Sequence, residues 1–421
     1  MFNMSSMFQG LKGKRKGKIW QLFRATDLES LMYPCFMFCR ILGIFPYKIN
    51  ASTIKTCKPR YILSTIIIGV FCIFELLNLY DLNISKNGLN KDVVTTKILQ
   101  HNCFSIIGVF MAVTAFILSG PRMRFFETLL ELSLKLPSES YKKLSRLIHA
   151  KDILGFFFLV VLLLMCIITV PYSVWRQILI SYIHLLMFQM DMLYMNCVCI
   201  LKACFKQIND NLVNLRKVMT NGEPYLLSGT NHGQRIPFLL MEIIALKKQH
   251  LAISDAVYML KMVFSLHLLS TILMIFTQII FNLYFYLMQI QLGGQGLHMS
   301  HLSNEERQLY LKACITAVAI YFVELVLIVW ACETGKNQAM EISSTVHDVC
   351  NSASNKQIKY EMRLFSLQLS HCENTFSAKG LTVDATLLTE IAGAIITYVL
   401  VLIQFLFISS SCGGKTLKDT L

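Results

Sequence analysis

The sequence predicts an all-α membrane protein of seven transmembrane helices, with its N-terminus cytoplasmic, its C-terminus extracellular and long cytoplasmic helical extensions. Three observations carry that class. The 421-residue chain has a mean hydropathy of +0.54 with only 15% charged residues, the composition of a chain whose solvent is a bilayer. Seven apolar stretches reach the roughly 20 residues that a helix needs to cross about 30 Å of hydrocarbon. Finally, 31 of the 39 Lys and Arg residues fall in alternate connecting segments, which the retention of positive charge in the cytosol assigns to the inside.

The first span, near 61–80, holds one carboxylate, Glu75, and the second, near 98–119, has no acidic or basic residue apart from His101. The third, near 153–171, is the cleanest apolar run, and the fourth, near 177–200, carries His184 and Asp191. The fifth stretch, 262–292, exceeds one crossing, so tilt or protrusion is expected. The sixth lies near 313–332 with Glu324, and the seventh near 386–408. An odd number of spans with this charge bias opposes the topology of a G-protein-coupled receptor.

The first 30 residues are polar and basic, so the first span is expected to act as signal anchor. "KGKRKGK" at 12–18 reads as an inside anchor facing anionic membrane lipid rather than as a nucleic-acid site, despite a net charge of +14. The patch "LMYPCFMFCRILGIFPY" at 31–47 is broken by two prolines and Arg40 and reads as interfacial or re-entrant. Of three N-x-S sequons only Asn83 falls outside, a glycosylation candidate. The fourteen cysteines form no paired array and read as small buried hydrophobes.

The long inside loops have an order of their own. Leu201, Phe205, Ile208, Leu212, Leu215 and Met219 recur at alternating spacings of four and three. After a polar loop at 220–235, Ile236, Leu239, Ile243, Leu246, His250, Ile253, Val257 and Leu260 resume that rhythm and run into the fifth span. Such apolar stripes must be covered, either by an antiparallel hairpin within the chain or by a subunit anchor that gathers several copies. Val346, Val349, Leu364 and Leu367 of the last inside loop offer a third layer. The chain thus divides into a cytoplasmic segment (1–60), helices one to four (61–200), a helical anchor (201–261), helices five and six (262–333), a cytoplasmic helical segment (334–385), the seventh helix (386–408) and an outer tail (409–421).

No enzyme signature is present: the chain has no HExxH, G-x-S-x-G, Walker loop or dinucleotide fingerprint, and no cofactor motif. His298 and His301 have no third ligand nearby, so no metal site is expected. Polar residues at membrane depth are costly and mark function by default. Gln100, His101, His184, Gln278, Asn282, Tyr286 and Tyr321 fall in the outer halves of their spans, with Asp191 and Glu324 nearer the midplane. If these spans bundle, the residues converge on an outward-facing pocket for a small polar ligand; hydrogen bonding between helices is the alternative. In the last span Thr397, Val401, Gln404 and Ile408 share one helical face, and the alternation of polar and apolar suits a pore wall with a hydrophobic constriction. One helix encloses no pore, so this reading requires several subunits.

Thr397-Tyr398, five apolar residues, then Gln404-Phe405 resembles the C-terminal T-Y-x5-Q-F signature of the insect gustatory receptor family. The preceding "TFSAKGLTVDATLLTEIAGAI" at 375–395 resembles that family's lead-in, with a weaker echo in "LGIFPYKI" at 42–49. Two departures accompany the match: Thr382 follows "FSA-x-G-L" where the family commonly has an aromatic, and 16 residues follow Phe405. The resemblance implies a tetrameric ligand-gated cation channel in the plasma membrane of a chemosensory neuron. It would be a homotetramer or a heteromer with related receptors, opened by a sugar, amino acid, other nutrient or bitter tastant and conducting cations. By the same resemblance the seventh helices line the pore, with Val401, Gln404 and Phe405 as pore and gate residues, and the inside helices form the central anchor. The alternatives are a metabotropic seven-helix chemoreceptor, against which the inside N-terminus argues, and a non-conducting co-receptor subunit.

Overall fold

The computed structural model describes residues 23–50, 53–84, 91–169, 173–221, 232–291, 304–378 and 380–416. In chain order the elements are α1 (Leu28–Ile41), β1 (Tyr47–Asn50), β2 (Thr53–Thr56), α2 (Lys58–Ile84), α3 (Lys91–Ile117), α4 (Ser119–Ser133), α5 (Ser138–Thr169), α6 (Val174–Asn221), α7 (His232–Gln291), α8 (Asn304–Ser352), α9 (Lys356–His371), β3 (Ser377–Ala378), β4 (Leu381–Thr382) and α10 (Ala385–Thr416). Seven of these helices, α2, α3, α5, α6, α7, α8 and α10, are long and apolar enough among the described residues to cross a membrane, and each contains one of the seven predicted spans.

The three longest helices explain the architecture. At 1.5 Å per residue, α6 (48 residues), α7 (60) and α8 (49) are each at least twice as long as a crossing needs. Their excess continues on the side assigned to the cytosol, where α9 joins them. Leu201, Phe205, Ile208, Leu212, Leu215, Ile243, Leu246 and Ile253 are buried in this bundle. The predicted stripe therefore closes the chain's own core, with α8 and α9 as its further layers, and is not free to hold a neighbouring copy. The reason lies in α8: its inside half returns Ile342, Val346 and Val349 to the hairpin, all fully buried. His250 packs between the Phe205 and Phe365 rings, with Gln368 at 3.2 Å from its Nδ1. Lys247 and Glu361 pair at 2.7 Å across α7 and α9. Asn355 caps α9 by accepting from the Gln357 and Ile358 amides.

Helix α6 runs through the middle of the bundle, and glycines let its neighbours approach. A Cβ at Gly108 of α3 would lie 2.6 Å from Ile183, one at Gly155 of α5 2.8 Å from Met192, and one at Gly335 of α8 3.0 Å from Val198. Small residues at such crossings permit the close backbone packing that membrane bundles rely on. Gly335→Val is expected to lower stability by about 1–3 kcal/mol through overpacking, read as a downward shift of the thermal unfolding midpoint of detergent-purified protein; Gly393→Val on α10, where nothing lies within 4 Å, provides the comparison.

The region 31–47 folds as α1 plus a turn. Asp27 and Ser30 form a reciprocal capping box at the start of α1. One face buries Leu31, Met32, Cys35, Phe36 and Cys39, while Tyr33, Met37, Phe38 and Ile41 stay exposed, as suits an element at a membrane interface. Gly43, at φ +76°, ends the helix, with the Ile44 amide reaching back to the Cys39 carbonyl. The short antiparallel pair β1–β2 and the helix α4 were not foreseen from the sequence. Arg122 of α4, fully buried, donates to the Ile44 and Ala115 carbonyls at 3.3 and 3.1 Å and lies over the Phe264 ring. Tyr182 donates to the Leu42 carbonyl at 3.0 Å, Ser64 to that of Gly43, and Arg60 to that of Tyr47 at 2.7 Å. Side chains from α2, α4 and α6 thus hold four carbonyls of the turn "LGIFPY".

Candidate functional site

Helices α3, α5, α6, α7 and α8 enclose a cleft in the outer half of the bundle, with about 990 Å³ of empty space, its mouth included. Its lining includes Gln100 and His101 from α3, His184 from α6, Gln278 and Asn282 from α7, and Tyr321 from α8. Six of the nine residues expected to form a ligand pocket therefore meet in one place. The lining also holds Phe104, Phe285 and Ala317, so aromatic and aliphatic walls surround the polar groups.

The polar groups are arranged by their neighbours. Gln100 Nε2 donates to Gln278 Oε1 at 3.1 Å, joining α3 to α7. Asn78 of α2 sits 3.2 Å from His101 Nε2 and donates to Glu75 at 3.4 Å, which explains why the first span tolerates its carboxylate. The His184 ring lies between Phe104 and Tyr321, at centroid distances of 4.9 and 6.2 Å. Two polar nitrogens remain: Gln278 Nε2 and His184 Nδ1 are buried with no hydrogen-bond partner among the described residues. Each such orphan costs about 1–3 kcal/mol unless water or a ligand engages it.

The other three residues lie elsewhere. Asp191 is fully buried below the cleft, where Thr271 Oγ1 donates to its Oδ1 at 3.1 Å and His267 Nε2 stands 3.2 Å away. Glu324 lies beside Asp191 and lines a smaller, mostly apolar pocket that also touches His184. Tyr286 packs instead against the cluster of Phe281, Tyr284, Phe285 and Met288. Asn282 and Tyr286 are four residues apart and so share nearly one face of α7, but Tyr286 stands one turn further along the helix, past the cleft and against the cluster. Sequence reasoning missed Gln177, Ser181 and Tyr310, which also line the cleft, because single polar residues near a span end carry no signal of direction. It also missed His267 and Thr271, although their i, i+4 spacing on an apolar helix was a usable sign of a shared polar face.

The seventh span, α10, packs on α7 and α8 through Leu387, Leu388, Ile391, Ile395, Val399 and Leu402. Its opposite face, Thr389, Gly393, Thr397, Val401 and Gln404, is exposed along the chain's own surface. Thr397 Oγ1 donates to the Gly393 carbonyl at 2.9 Å, so its hydroxyl is satisfied by its own helix. Tyr398 meets Phe276 edge to face at 5.8 Å. The Phe405 side chain lies outside the described residues, as do His298 and His301. Among the described residues no group of three His, Cys, Asp or Glu side chains has the geometry of a metal site. Asn83 is exposed in the last turn of α2 and pairs with Asn102, while Ser85 of its sequon lies outside the described residues.

The lead-in to α10 is equally specific. Gly380, at φ +92°, closes the β3–β4 hairpin, and Phe376 packs on Gly335, where a Cβ would lie 2.8 Å from its ring. Lys261 of α7 binds the Glu373 carbonyl and Thr375 Oγ1, both at 3.3 Å. Asp384 caps α10: the Thr386 hydroxyl and amide donate to its carboxylate and hold its pKa below the usual range. The hairpin thus ties the start of α10 to α7 and α8.

Comparison with known proteins agrees with this architecture. A family model described as "7tm Chemosensory receptor" matches residues 32–407. The putative gustatory receptor 28b of Drosophila melanogaster is 27% identical over 157 residues, 37% of this chain and 32% of that protein, so the match spans about a third of the relative's length. The olfactory receptor OR5 of Machilis hrabei superposes with a TM-score of 0.65 at 12% identity, covering 90% of this chain and 98% of that one. Its complex with eugenol gives 0.63 at 11% identity, over the same shares. With the family's pattern running through almost its whole length, the chain belongs to the seven-transmembrane chemosensory receptors, in the insect gustatory receptor family.

Proposed function

We propose that this chain is a subunit of a ligand-gated, non-selective cation channel that opens when a small tastant enters the outer cleft. The observation that carries the ligand-binding half is the pair of buried, unpartnered atoms, Gln278 Nε2 and His184 Nδ1, in a cleft with aromatic walls. A small molecule bearing hydroxyl or carbonyl oxygens would satisfy them and displace water from the aromatic faces. A sugar, an amino acid, another nutrient or a bitter compound each meets that description. That a similar fold holds eugenol in the Machilis receptor complex supports a small-molecule ligand.

The pore half rests on α10. Its exposed face of small and polar residues fits a bilayer poorly, and four copies around one axis would cover it while leaving Val401 and Gln404 along a water-filled path. The same copies assemble as a homotetramer or with related receptors, in the plasma membrane of a chemosensory neuron. The cytosolic stripes being already buried, contacts between copies use the outward faces of the cytosolic helices. Whole-cell recording against sugars, amino acids, nucleosides and bitter compounds, followed by excised patches without nucleotides, tests the reading. A ligand-evoked cation current that persists after excision supports a self-sufficient channel. A response that disappears on excision and returns with nucleotides would favour a metabotropic receptor, and silence at normal surface expression that is relieved by a second receptor would favour a co-receptor subunit. Gln278→Leu is expected to raise the half-maximal ligand concentration about tenfold with little change in the maximal current.

A further inference from the structure

The segment where α1 hands over to α2 is strongly basic. From Arg40 to Phe74 the chain has five cationic residues, Arg40, Lys48, Lys55, Lys58 and Arg60, and no acidic one. Arg40 and Arg60 line one cleft, about 570 Å³ of empty space with its mouth, whose remaining walls are Gly43, Phe45, Pro46, Leu63 and Ser64. The two guanidinium groups feel each other: after burial, the Arg60 charge is the next influence that lowers the Arg40 pKa, with Tyr33 and Glu29 of α1 acting in the opposite sense.

The chemistry of the walls selects the sign of a ligand. The Leu42, Gly43, Ile44 and Tyr47 carbonyls are already taken by Tyr182, Ser64, Arg122 and Arg60. Acceptors are therefore occupied while donors remain. Arg40 Nε is buried with no hydrogen-bond partner among the described residues, and its guanidinium lies 6.0 Å from the Phe45 ring centre. Rigid, paired guanidinium donors suit phosphate oxygens. The source of that phosphate follows from the adjoining surface: Leu63, part of the cleft, is 53% exposed and continues into exposed Ile62 and Ile66, where α2 enters the bilayer. Acyl chains have a place to lie there, which a soluble phosphate would not use.

We propose that this cleft binds the phosphate of an anionic phospholipid of the cytosolic leaflet, with Arg40 and Arg60 on its oxygens and its acyl chains along Ile62, Leu63 and Ile66. Bound lipid would fix the α1–α2 turn from the membrane side, as Arg122 fixes it from the protein side.

The test uses full-length protein in nanodiscs of phosphatidylcholine containing a minor fraction of phosphatidylserine or a phosphatidylinositol phosphate, with retained lipid counted by native mass spectrometry. Wild type is expected to retain anionic over zwitterionic lipid. Arg40→Gln should reduce that retention at least about tenfold, the effect of losing a charge-assisted hydrogen bond to the phosphate, and Arg40→Lys should largely keep it. Arg40 is the residue of choice because Arg60 also holds the Tyr47 carbonyl. The exposed Lys143 of α5 gives the control: an equal loss in Lys143→Gln would mean diffuse surface attraction and overturn the site. No anionic preference in wild type, which needs no variant, would overturn it too. So would binding of a soluble inositol phosphate in detergent without any lipid preference, which would assign the cleft to free phosphate.

Discussion

Arg122→Ala is expected to abolish folded receptor at the cell surface. The guanidinium is fully buried, donates to the Ile44 and Ala115 carbonyls, and covers the Phe264 ring. Its removal leaves two buried acceptors unsatisfied and a cavity among α3, α4 and α7. Hydrogen bonds to charged donors contribute about 1.5–3 kcal/mol each, so a loss of at least about 3 kcal/mol is expected, a large share of the roughly 5–15 kcal/mol that holds a domain together. Arg124, two residues on and exposed, supplies the comparison. Fluorescence-detected size exclusion before and after heating reads both variants; an Arg122→Ala protein that elutes and melts like wild type would show that the Ile44 turn does not depend on it.

Val401→Ala is expected to raise the ligand-free current at least tenfold, and Gln404→Leu to lower the single-channel conductance, if four α10 helices surround the pore as proposed. Val401 is 39% exposed on the face turned away from α7 and α8, so the chain's own packing hardly constrains it. In a closed constriction its methyls would meet those of three other copies. At about 0.8 kcal/mol for each apolar carbon removed from water, four truncations shift the balance between closed and open by several kcal/mol, and 1.4 kcal/mol suffices for tenfold. Val399→Ala tests the opposite case: that side chain is buried against the chain's own bundle, so its loss should lower stability rather than change leak. Unchanged resting current in Val401→Ala at equal surface expression would take the residue out of the gate.

Much of the site was legible because membranes penalise polar groups. Gln100, His101, His184, Gln278, Asn282 and Tyr321 stood out on apolar helices, and the cleft gathers all six. Asp191 stood out for the same reason, yet its Oδ1 is held within the core by His267 and Thr271. Polarity at depth thus marks a side chain that needs a partner, and whether that partner is protein or ligand depends on which helix stands opposite. The heptad stripes repeat the lesson. Leu201 to Leu215 and Ile243 to Ile253 had to be covered, and α8 and α9 of the same chain cover them.

Sequence alone determined the class, the seven spans, the long helical extensions and the polar positions, because each follows from local hydropathy or helical period. Only the tertiary structure decided how "LGIFPY" is used. Its carbonyls are held by Ser64, Arg122, Tyr182 and Arg60, residues up to 140 positions away. It also decided that the lead-in to α10 is a hairpin seated on Gly335, and which face of α10 stays open. These are contacts between segments remote in the chain, and the periodicity of one helix carries no information about which neighbour will supply the missing donor or the complementary surface.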